Sequence, residues 1–156
     1  MTSDRAIRES HFVEEVGLIA DEMGETRMAG RVLGLLLISD PPHQTAQQIA
    51  ETLDASRGAV STAIRQLLRS GILDKVAVPN SRATYVAVQD HPWPDIARRY
   101  LTFLRIFVGV ADQGLTLMAD DPPARRDRIE KLRDFVLYLE REILPVIDRY
   151  ATSEER

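Results

Sequence analysis

The sequence contains no cysteine. Its absence excludes a disulfide scaffold, a thiolate zinc site and a cysteine nucleophile, and nothing indicates an oxidising compartment. There is also no run of about 18 apolar residues, so no transmembrane helix is predicted. Residues 1–5 are not followed by the apolar segment of a secretory signal. We therefore expect a cytoplasmic protein that does not contact a membrane.

Motifs for catalysis and cofactor binding are missing as well. The three histidines, His11, His43 and His91, are far apart, and none stands at a metal-ligand spacing. No glycine-rich phosphate loop exists, because Gly30 and Gly34 fall inside a predicted helix and not at a strand-to-helix turn. We expect no enzymatic activity, no metal ion and no cofactor.

The composition is that of an ordinary globular protein. The 156 residues are 44% hydrophobic and 28% charged, which fits one domain, or one domain with an oligomerising extension. The formal net charge is −4, yet residues 45–88 carry five basic and three acidic side chains. A mildly positive segment thus lies between acidic flanks, although a chance fluctuation over a short window is the alternative.

Two helices are predicted before this positive segment. Phe12, Val16, Ile19 and Met23 are spaced by four, three and four residues, which marks one face of an amphipathic helix. The apolar run at residues 28–38 is long for a strand and rich in leucine, so it predicts a buried helix. Its two glycines lie four residues apart and would allow another helix to approach closely.

The positive segment predicts a helix-turn-helix. Residues 45–48 form a capping box that opens a short helix ending near Leu53. After a tight connection, Ser56 caps a second helix over residues 57–69. This second helix is apolar on one side and polar or cationic on the other. A helix that enters the major groove of DNA has this character, since it must pack inward and offer short or cationic side chains outward.

A β-hairpin follows the second helix. Residues 72–78 and 83–88 alternate with a period of two, and residues 79–82 form a turn that carries Arg82. This order of elements is that of a winged helix-turn-helix. Taken singly, the arginines are solvated surface more often than ligands, but the combination favours DNA contact. The predicted DNA-binding residues are Thr45, Gln47, Ser56, Arg57, Ser61, Thr62, Arg65, Arg69 and Arg82.

The remaining residues predict two long helices, separated by a break at residues 120–123. In the second one, apolar residues recur at steps of three and four, which is the spacing of a coiled-coil seam. Pro145 should kink or interrupt this helix, and residues 152–156 should fray. We expect the seam and the N-terminal face to dimerise; a monomeric intrachain hairpin is the alternative. The predicted dimerisation residues are Phe12, Val16, Ile19, Ile129, Leu132, Val136, Leu139 and Ile143.

Aromatic residues of the first long helix are a candidate effector pocket. Trp93, Tyr100, Phe103 and Phe107 could enclose a quaternary ammonium group through cation–π attraction. Such a row of rings is more often plain core. An effector would act by favouring one separation of the two DNA-binding heads over another.

We therefore predict a mainly α fold with three parts. Residues 1–24 form an N-terminal dimerisation helix, residues 25–90 a winged helix-turn-helix with a two-stranded wing, and residues 91–156 a C-terminal helical dimerisation region. The long helices at both ends would join two copies.

The sequence also resembles a known family. The stretches Ala29–Leu37 and Ala55–Leu67, above all Gly30-Arg31 and the Ser-Arg-Gly-x-Val-Ser motif at residues 56–61, are similar to those of the MarR superfamily, most closely its GbsR-like branch. The resemblance covers about residues 10–90 and is only architectural beyond them. It implies a homodimer that binds an operator and regulates transcription, with a link to osmoprotectants such as choline or glycine betaine.

The predicted function is a sequence-specific, DNA-binding transcriptional regulator, a repressor acting as a homodimer on a pseudo-palindromic operator. Its partners would be double-stranded DNA, a second copy of the chain and a small-molecule effector of unknown identity. The net negative charge motivates one alternative, a winged-helix protein-interaction module without DNA binding. A small-molecule-binding dimer without DNA activity is the third and weakest interpretation.

Overall fold

The computed structural model describes residues 2–154, which are 72% helical. The chain divides into two compact units, Met1–Pro92 and Trp93–Arg156. No helix in the described part combines the length and the apolar character that crossing a membrane would require. The helices are α1 (Thr2–Glu22), α2 (Arg27–Ile38), α3 (Ala46–Thr52), α4 (Arg57–Arg69), α5 (Pro92–Leu117) and α6 (Pro123–Glu154), and the strands are β1 (Gln44–Thr45), β2 (Leu73–Val76) and β3 (Tyr85–Val88).

Helices α1 and α2 cross with their backbones in contact. A Cβ atom added at Gly30 would lie 2.5 Å from the carbonyl oxygen of Val16 and 2.7 Å from the Cα of Gly17. At Gly34 it would meet the side chain of Val16 at 3.1 Å. The predicted close approach of a helix at the two glycines is confirmed, and the approaching helix is α1 of the same unit.

The core of the first unit lies between α2, α3, α4 and the sheet. Buried side chains come from each of these elements, so the hydrophobic effect holds the helix-turn-helix and the wing together. Among them are Val32, Ile49, Val60, Leu73 and Val86.

The sheet has three antiparallel strands in the order β1-β3-β2. The predicted hairpin is confirmed, with Leu73 opposite Val88 and Val76 opposite Tyr85. The strands are shorter than predicted, so the wing loop spans residues 77–84. The prediction of a two-stranded sheet was incomplete, because β1 adds a third strand on the outer side of β3.

The second unit is an antiparallel pair of helices joined by ion pairs. Arg98 bonds Asp148 at 2.9 Å at one end. At the other end Ile129 of α6 packs against Gly114 of α5, where an added Cβ atom would lie 3.0 Å from the Ile129 side chain. Two further ion pairs lie between these ends, Arg105–Glu140 and Arg133–Asp112. The arginine and aspartate on α5 are spaced by seven residues, which keeps them on one helix face.

The structure corrects the predicted interruption at Pro145 and the predicted start of the frayed tail at residue 152, while a kink at Pro145 stays a prediction. The helix is continuous through Pro145 and extends to Glu154, so the proline does not interrupt it, and residues 152–154 continue the helix. Residues 155 and 156 of the predicted tail lie outside the described residues. A proline inside a helix removes one backbone hydrogen bond. In this helix of 32 residues the other backbone hydrogen bonds keep the helix continuous.

Candidate nucleic-acid interface

Side-chain caps fix the starts of both helices of the helix-turn-helix. The hydroxyl of Thr45 accepts the N–H of Gln48 at 3.2 Å, and the Gln48 side chain accepts the N–H of Thr45 at 2.8 Å. This capping box is the one that the sequence predicts. The hydroxyl of Ser56 accepts the N–H of Ala59 at 3.2 Å. Both hydroxyl oxygens thus accept hydrogen bonds that stabilise the helix starts. Each O–H group can still donate a hydrogen bond to a phosphate.

Helix α4 separates an apolar face from a cationic one. Its inner side chains pack in the core, and Arg57, Thr62, Arg65 and Arg69 are exposed. Ser61 is half-buried beside this row, so it lies at the edge of the exposed face. We call the exposed side chains Arg57, Thr62, Arg65 and Arg69 the α4 ridge.

The guanidinium groups of the α4 ridge have no carboxylate partner among the described residues, and neither does Arg82. Most arginines of α1, α2, α5 and α6 do form ion pairs. Unpaired cations on one face leave their charge available to an anionic ligand. The side chain of Arg65 is nevertheless ordered by a neighbour, since its Nη2 donates to the Thr62 hydroxyl at 3.0 Å.

A shallow groove beside the ridge contains a cationic residue that the sequence analysis did not select. The groove is lined by Arg65, Arg69 and Lys75, with Leu68, Leu73 and Asp74. Lys75 is exposed on β2 and forms no ion pair with a described residue. Lys75 falls on the polar side of the alternating strand, and this strand directly follows a basic helix in sequence. This pattern could have identified it as a candidate DNA-binding residue.

Two further predicted residues lie outside α4 and the caps. Gln47 is exposed on α3, where its side chain donates to Glu51 at 2.9 Å. Arg82 is exposed in the wing loop, next to Ser81, whose hydroxyl accepts the N–H of Ala83 at 3.2 Å. All of these side chains belong to the first compact unit.

The predicted dimerisation residues of α1 fall on two sides of the helix. Phe12 and Ile19 are 37% and 55% exposed, whereas Val16 faces α2 at Gly34. The side chain of Val16 therefore contributes to packing within one chain.

The predicted residues of α6 also differ in exposure. Val136 is buried, Ile129 contacts the Gly114 position of α5, and Leu139 is half-buried. Leu132 and Ile143 are 43% and 38% exposed. Part of the α6 seam is thus buried within one chain, and the other part is exposed to solvent.

The four aromatic residues of the candidate effector pocket are exposed on α5. Trp93, Tyr100, Phe103 and Phe107 are 43–59% exposed, and the last two rings meet edge to face at 6.5 Å. Described residues do not enclose them in a single chain. No group of three or more His, Cys, Asp or Glu side chains that could hold a metal occurs in the described part.

An ion-pair network connects α1 to the helix-turn-helix. Glu14 of α1 bonds Arg27 at 2.8 Å and Arg31 at 2.7 Å. The same Arg31 donates to the backbone carbonyl of Leu53, at the end of α3, at 2.9 Å. The hydrogen bond from Arg27, with the charge of Arg31, lowers the pKa of Glu14 below its ordinary value, against the opposing effect of burial.

This lowered pKa predicts an acid-dependent loss of stability. A carboxylate with a depressed pKa in the folded state stabilises that state at neutral pH, and the contribution disappears as pH falls from about 5 through the folded-state pKa. Glu14→Gln should therefore flatten the decrease in unfolding free energy on acidification, as measured by urea unfolding across the pH series. Glu15→Gln, at an exposed neighbour that meets neither arginine, is the control. Parallel pH profiles for the two variants would contradict the prediction.

Two short helices joined by a tight turn, with a cationic outer face and an adjacent antiparallel wing, define the winged helix-turn-helix class of DNA-binding proteins. A family model described as MarR family matches residues 24–83. A second, described as MmpR5-like MarR family transcriptional regulator, matches residues 91–154.

Relatives match over almost the whole chain. The HTH-type transcriptional regulator MmpR5 of Mycobacterium tuberculosis is 34% identical over 140 residues, which is 90% of this chain and 85% of that protein. A crystal structure described as a transcriptional regulator is 32% identical, with a TM-score of 0.78 over 93% of this chain and 99% of that one. The chain belongs to the MarR family, and it is a DNA-binding transcriptional regulator.

Proposed function

We propose that the protein is a homodimeric repressor that binds a pseudo-palindromic operator, with one α4 helix in the major groove of each half-site. The observation that carries the proposal is the α4 ridge, whose guanidinium groups have no carboxylate partner among the described residues. In a duplex complex, phosphates and base edges would supply the missing partners. The two α4 helices would lie about 34 Å apart, one turn of DNA.

The residues of the interface divide by chemistry. Arg65 and Arg57 can form bidentate bonds to O6 and N7 of guanine, and Thr62 and Ser61 lie beside them. Contacts that position the protein without reading sequence would come from the phosphates. We assign Thr45, Gln47, Ser56, Arg69, Lys75 and Arg82 to such contacts.

Exposed apolar side chains support a second copy of the chain as a partner. Large apolar residues of α1, α5 and α6 are exposed in one chain, among them Ile19, Phe103, Ile106, Val110 and Val146, each more than half exposed. So much apolar surface on long helices is unusual for a monomer. The unburied part of the α6 seam fits this role, so we retain Phe12, Ile19, Leu132 and Ile143 as dimer contacts.

A small-molecule effector remains part of the proposal. The exposed rings of α5 could contribute to a pocket that closes only in the dimer. The GbsR-like branch, with its link to choline or glycine betaine, is a finer assignment than the family and stays a prediction, as does the cytoplasmic location. We assign the chain no catalytic activity.

Selection of bound DNA from a random pool, followed by affinity measurement at two salt concentrations, tests the proposed function. We expect a pseudo-palindromic consensus and an affinity that falls by about a thousandfold between 50 and 200 mM salt if about six phosphates are contacted. The binding stoichiometry should be two chains per operator. Absence of salt-sensitive DNA binding would instead favour a protein-interaction module.

The wing arginine should contribute to affinity without contributing to sequence preference. Arg82→Ala removes one cation per chain from an exposed loop, so affinity for operator and for unrelated DNA should fall evenly. The slope of log affinity against log salt should decrease by about one per chain. Arg128→Ala, at an exposed residue of α6, is the control. An unchanged slope would remove Arg82 from the interface.

A further inference from the structure

Helix α4 is connected to the α1–α2 pair near both of its ends. The first connection is Arg31 of α2, whose side chain is only 21% exposed. Its Nε bonds Glu14 of α1 at 2.7 Å, and its Nη2 donates to the carbonyl of Leu53 at 2.9 Å. Leu53 is the C-cap of α3, three residues before Ser56, the N-cap of α4. One guanidinium group therefore joins α1 to the turn from which α4 starts.

The second connection is Gln66, in the last turns of α4. The side-chain Nε2 of Gln66 donates to the carboxylate of Glu25, and the side-chain Oε1 accepts a hydrogen bond from the Thr26 hydroxyl at 3.1 Å. Glu25 lies between α1 and α2, and Thr26 is the N-cap of α2, where its hydroxyl also accepts the N–H of Ala29. Both polar ends of the Gln66 amide are thus engaged by the segment in which α1 ends and α2 begins.

These two connections act on a rigid support. The backbones of α1 and α2 touch at Gly17 and Gly30, so the two helices cannot slide past each other freely. Because α4 is hydrogen-bonded to the α1–α2 pair near both of its ends, its direction relative to that pair is fixed. A helix bonded at one end only could change its direction. The hydrophobic core alone holds α4 by non-directional contacts, while hydrogen bonds to a planar guanidinium and an amide are directional.

We propose that Arg31 and Gln66 are positioning residues that fix the direction of α4 relative to α1 and so determine the half-site spacing that the dimer accepts. The inference rests on the proposed function, because it needs two DNA-binding heads joined through α1. Neither residue belongs to the α4 ridge, and neither is assigned a DNA contact.

The test compares operators that differ only in spacing. The selected operator is made with its original spacing and with one base pair inserted or deleted between the half-sites, and the affinity ratio defines the spacing preference. Arg31→Met breaks the first connection, and Arg27→Met, which removes an arginine partner of Glu14 without touching Leu53, is its control. Glu25→Ala removes one of the two hydrogen bonds of the second connection and leaves the bond from Thr26 to Gln66, and Glu22→Ala, at an exposed acidic residue nearby, is its control.

We expect wild-type protein to prefer one spacing, and Arg31→Met and Glu25→Ala to reduce that preference about threefold to tenfold, with both controls within about twofold of wild type. A purely structural role would lower the melting temperature and weaken all three operators in parallel. The inference is overturned if the affinity ratio between operator spacings is unchanged in both Glu25→Ala and Arg31→Met. It is also overturned if the wild-type protein shows no spacing preference. Wild-type protein that binds no DNA would instead overturn the proposed function itself.

Discussion

Replacing Arg65 by alanine should weaken operator binding by about 1–3 kcal/mol per half-site, and so by about 2–6 kcal/mol for a dimer with both arginines removed. In affinity this is a loss of roughly thirtyfold to twenty-thousandfold. The preference for guanine at one position of each half-site should disappear at the same time. Fluorescence anisotropy with the selected operator, and with operators substituted at that position, measures both effects.

The size of this effect follows from the state of the Arg65 side chain before DNA binds. Its guanidinium forms no ion pair with a carboxylate of the described residues, so DNA binding does not have to break one. The hydrogen bond to Thr62 restricts its rotamers in the free protein, which lowers the entropy lost on forming a bidentate contact. Arg69, one turn further on, is exposed and forms no such hydrogen bond with a described residue, so we expect a smaller loss there.

Two controls separate base recognition from loss of charge. Arg65→Lys keeps the charge but not the planar fork, so it should retain the salt dependence while losing the preference for guanine. Arg128→Ala removes an exposed arginine outside the winged helix. If Arg65→Ala binds the operator as Arg128→Ala does, Arg65 is not a base-reading residue.

The features that sequence predicts well here are local. The capping box needs only the Thr45 and Gln48 side chains and the backbone beside them. The ridge of α4 follows from a 3.6-residue period, because apolar positions repeat on one face and leave Arg57 and Arg65 on the other. The family resemblance adds to this, since it covers the same stretch. The winged helix and its cationic face were predictable for these reasons.

The features that sequence missed depend on contacts between distant residues. The hydrogen bonds from Arg31 to Leu53 and from Gln66 to Glu25 cross 22 and 41 positions, and neither follows from a periodic pattern. Strand β1 is two residues long, too short to show alternation. Val16 shares the apolar face of α1 with Phe12 in a helical projection, but the crossing with α2 decides which of them is covered.

Gly30→Ala should lower the free energy of unfolding by about 1–3 kcal/mol, although alanine is the better helix former by about 1 kcal/mol. The added methyl group would lie 2.5 Å from the Val16 carbonyl oxygen, 2.6 Å from the Ala20 Cβ and 2.7 Å from the Gly17 Cα. Carbon atoms in good contact are about 3.5–4.0 Å apart, and two of these obstacles are backbone. No rotamer change relieves the overlap, so α1 and α2 must separate.

Gly58→Ala is the matched control, because a Cβ at Gly58 meets nothing within 4 Å. The same substitution in an exposed helix should stabilise the protein by about 0.5–1 kcal/mol. Urea unfolding of both variants at one protein concentration measures the difference, since a dimer's stability depends on concentration. Separation of α1 from α2 also strains the contact between Glu14 and Arg31, so Gly30→Ala should reduce the acid dependence attributed to Glu14. Equal stability changes in the two variants would show that the helix crossing is not close enough to exclude a methyl group.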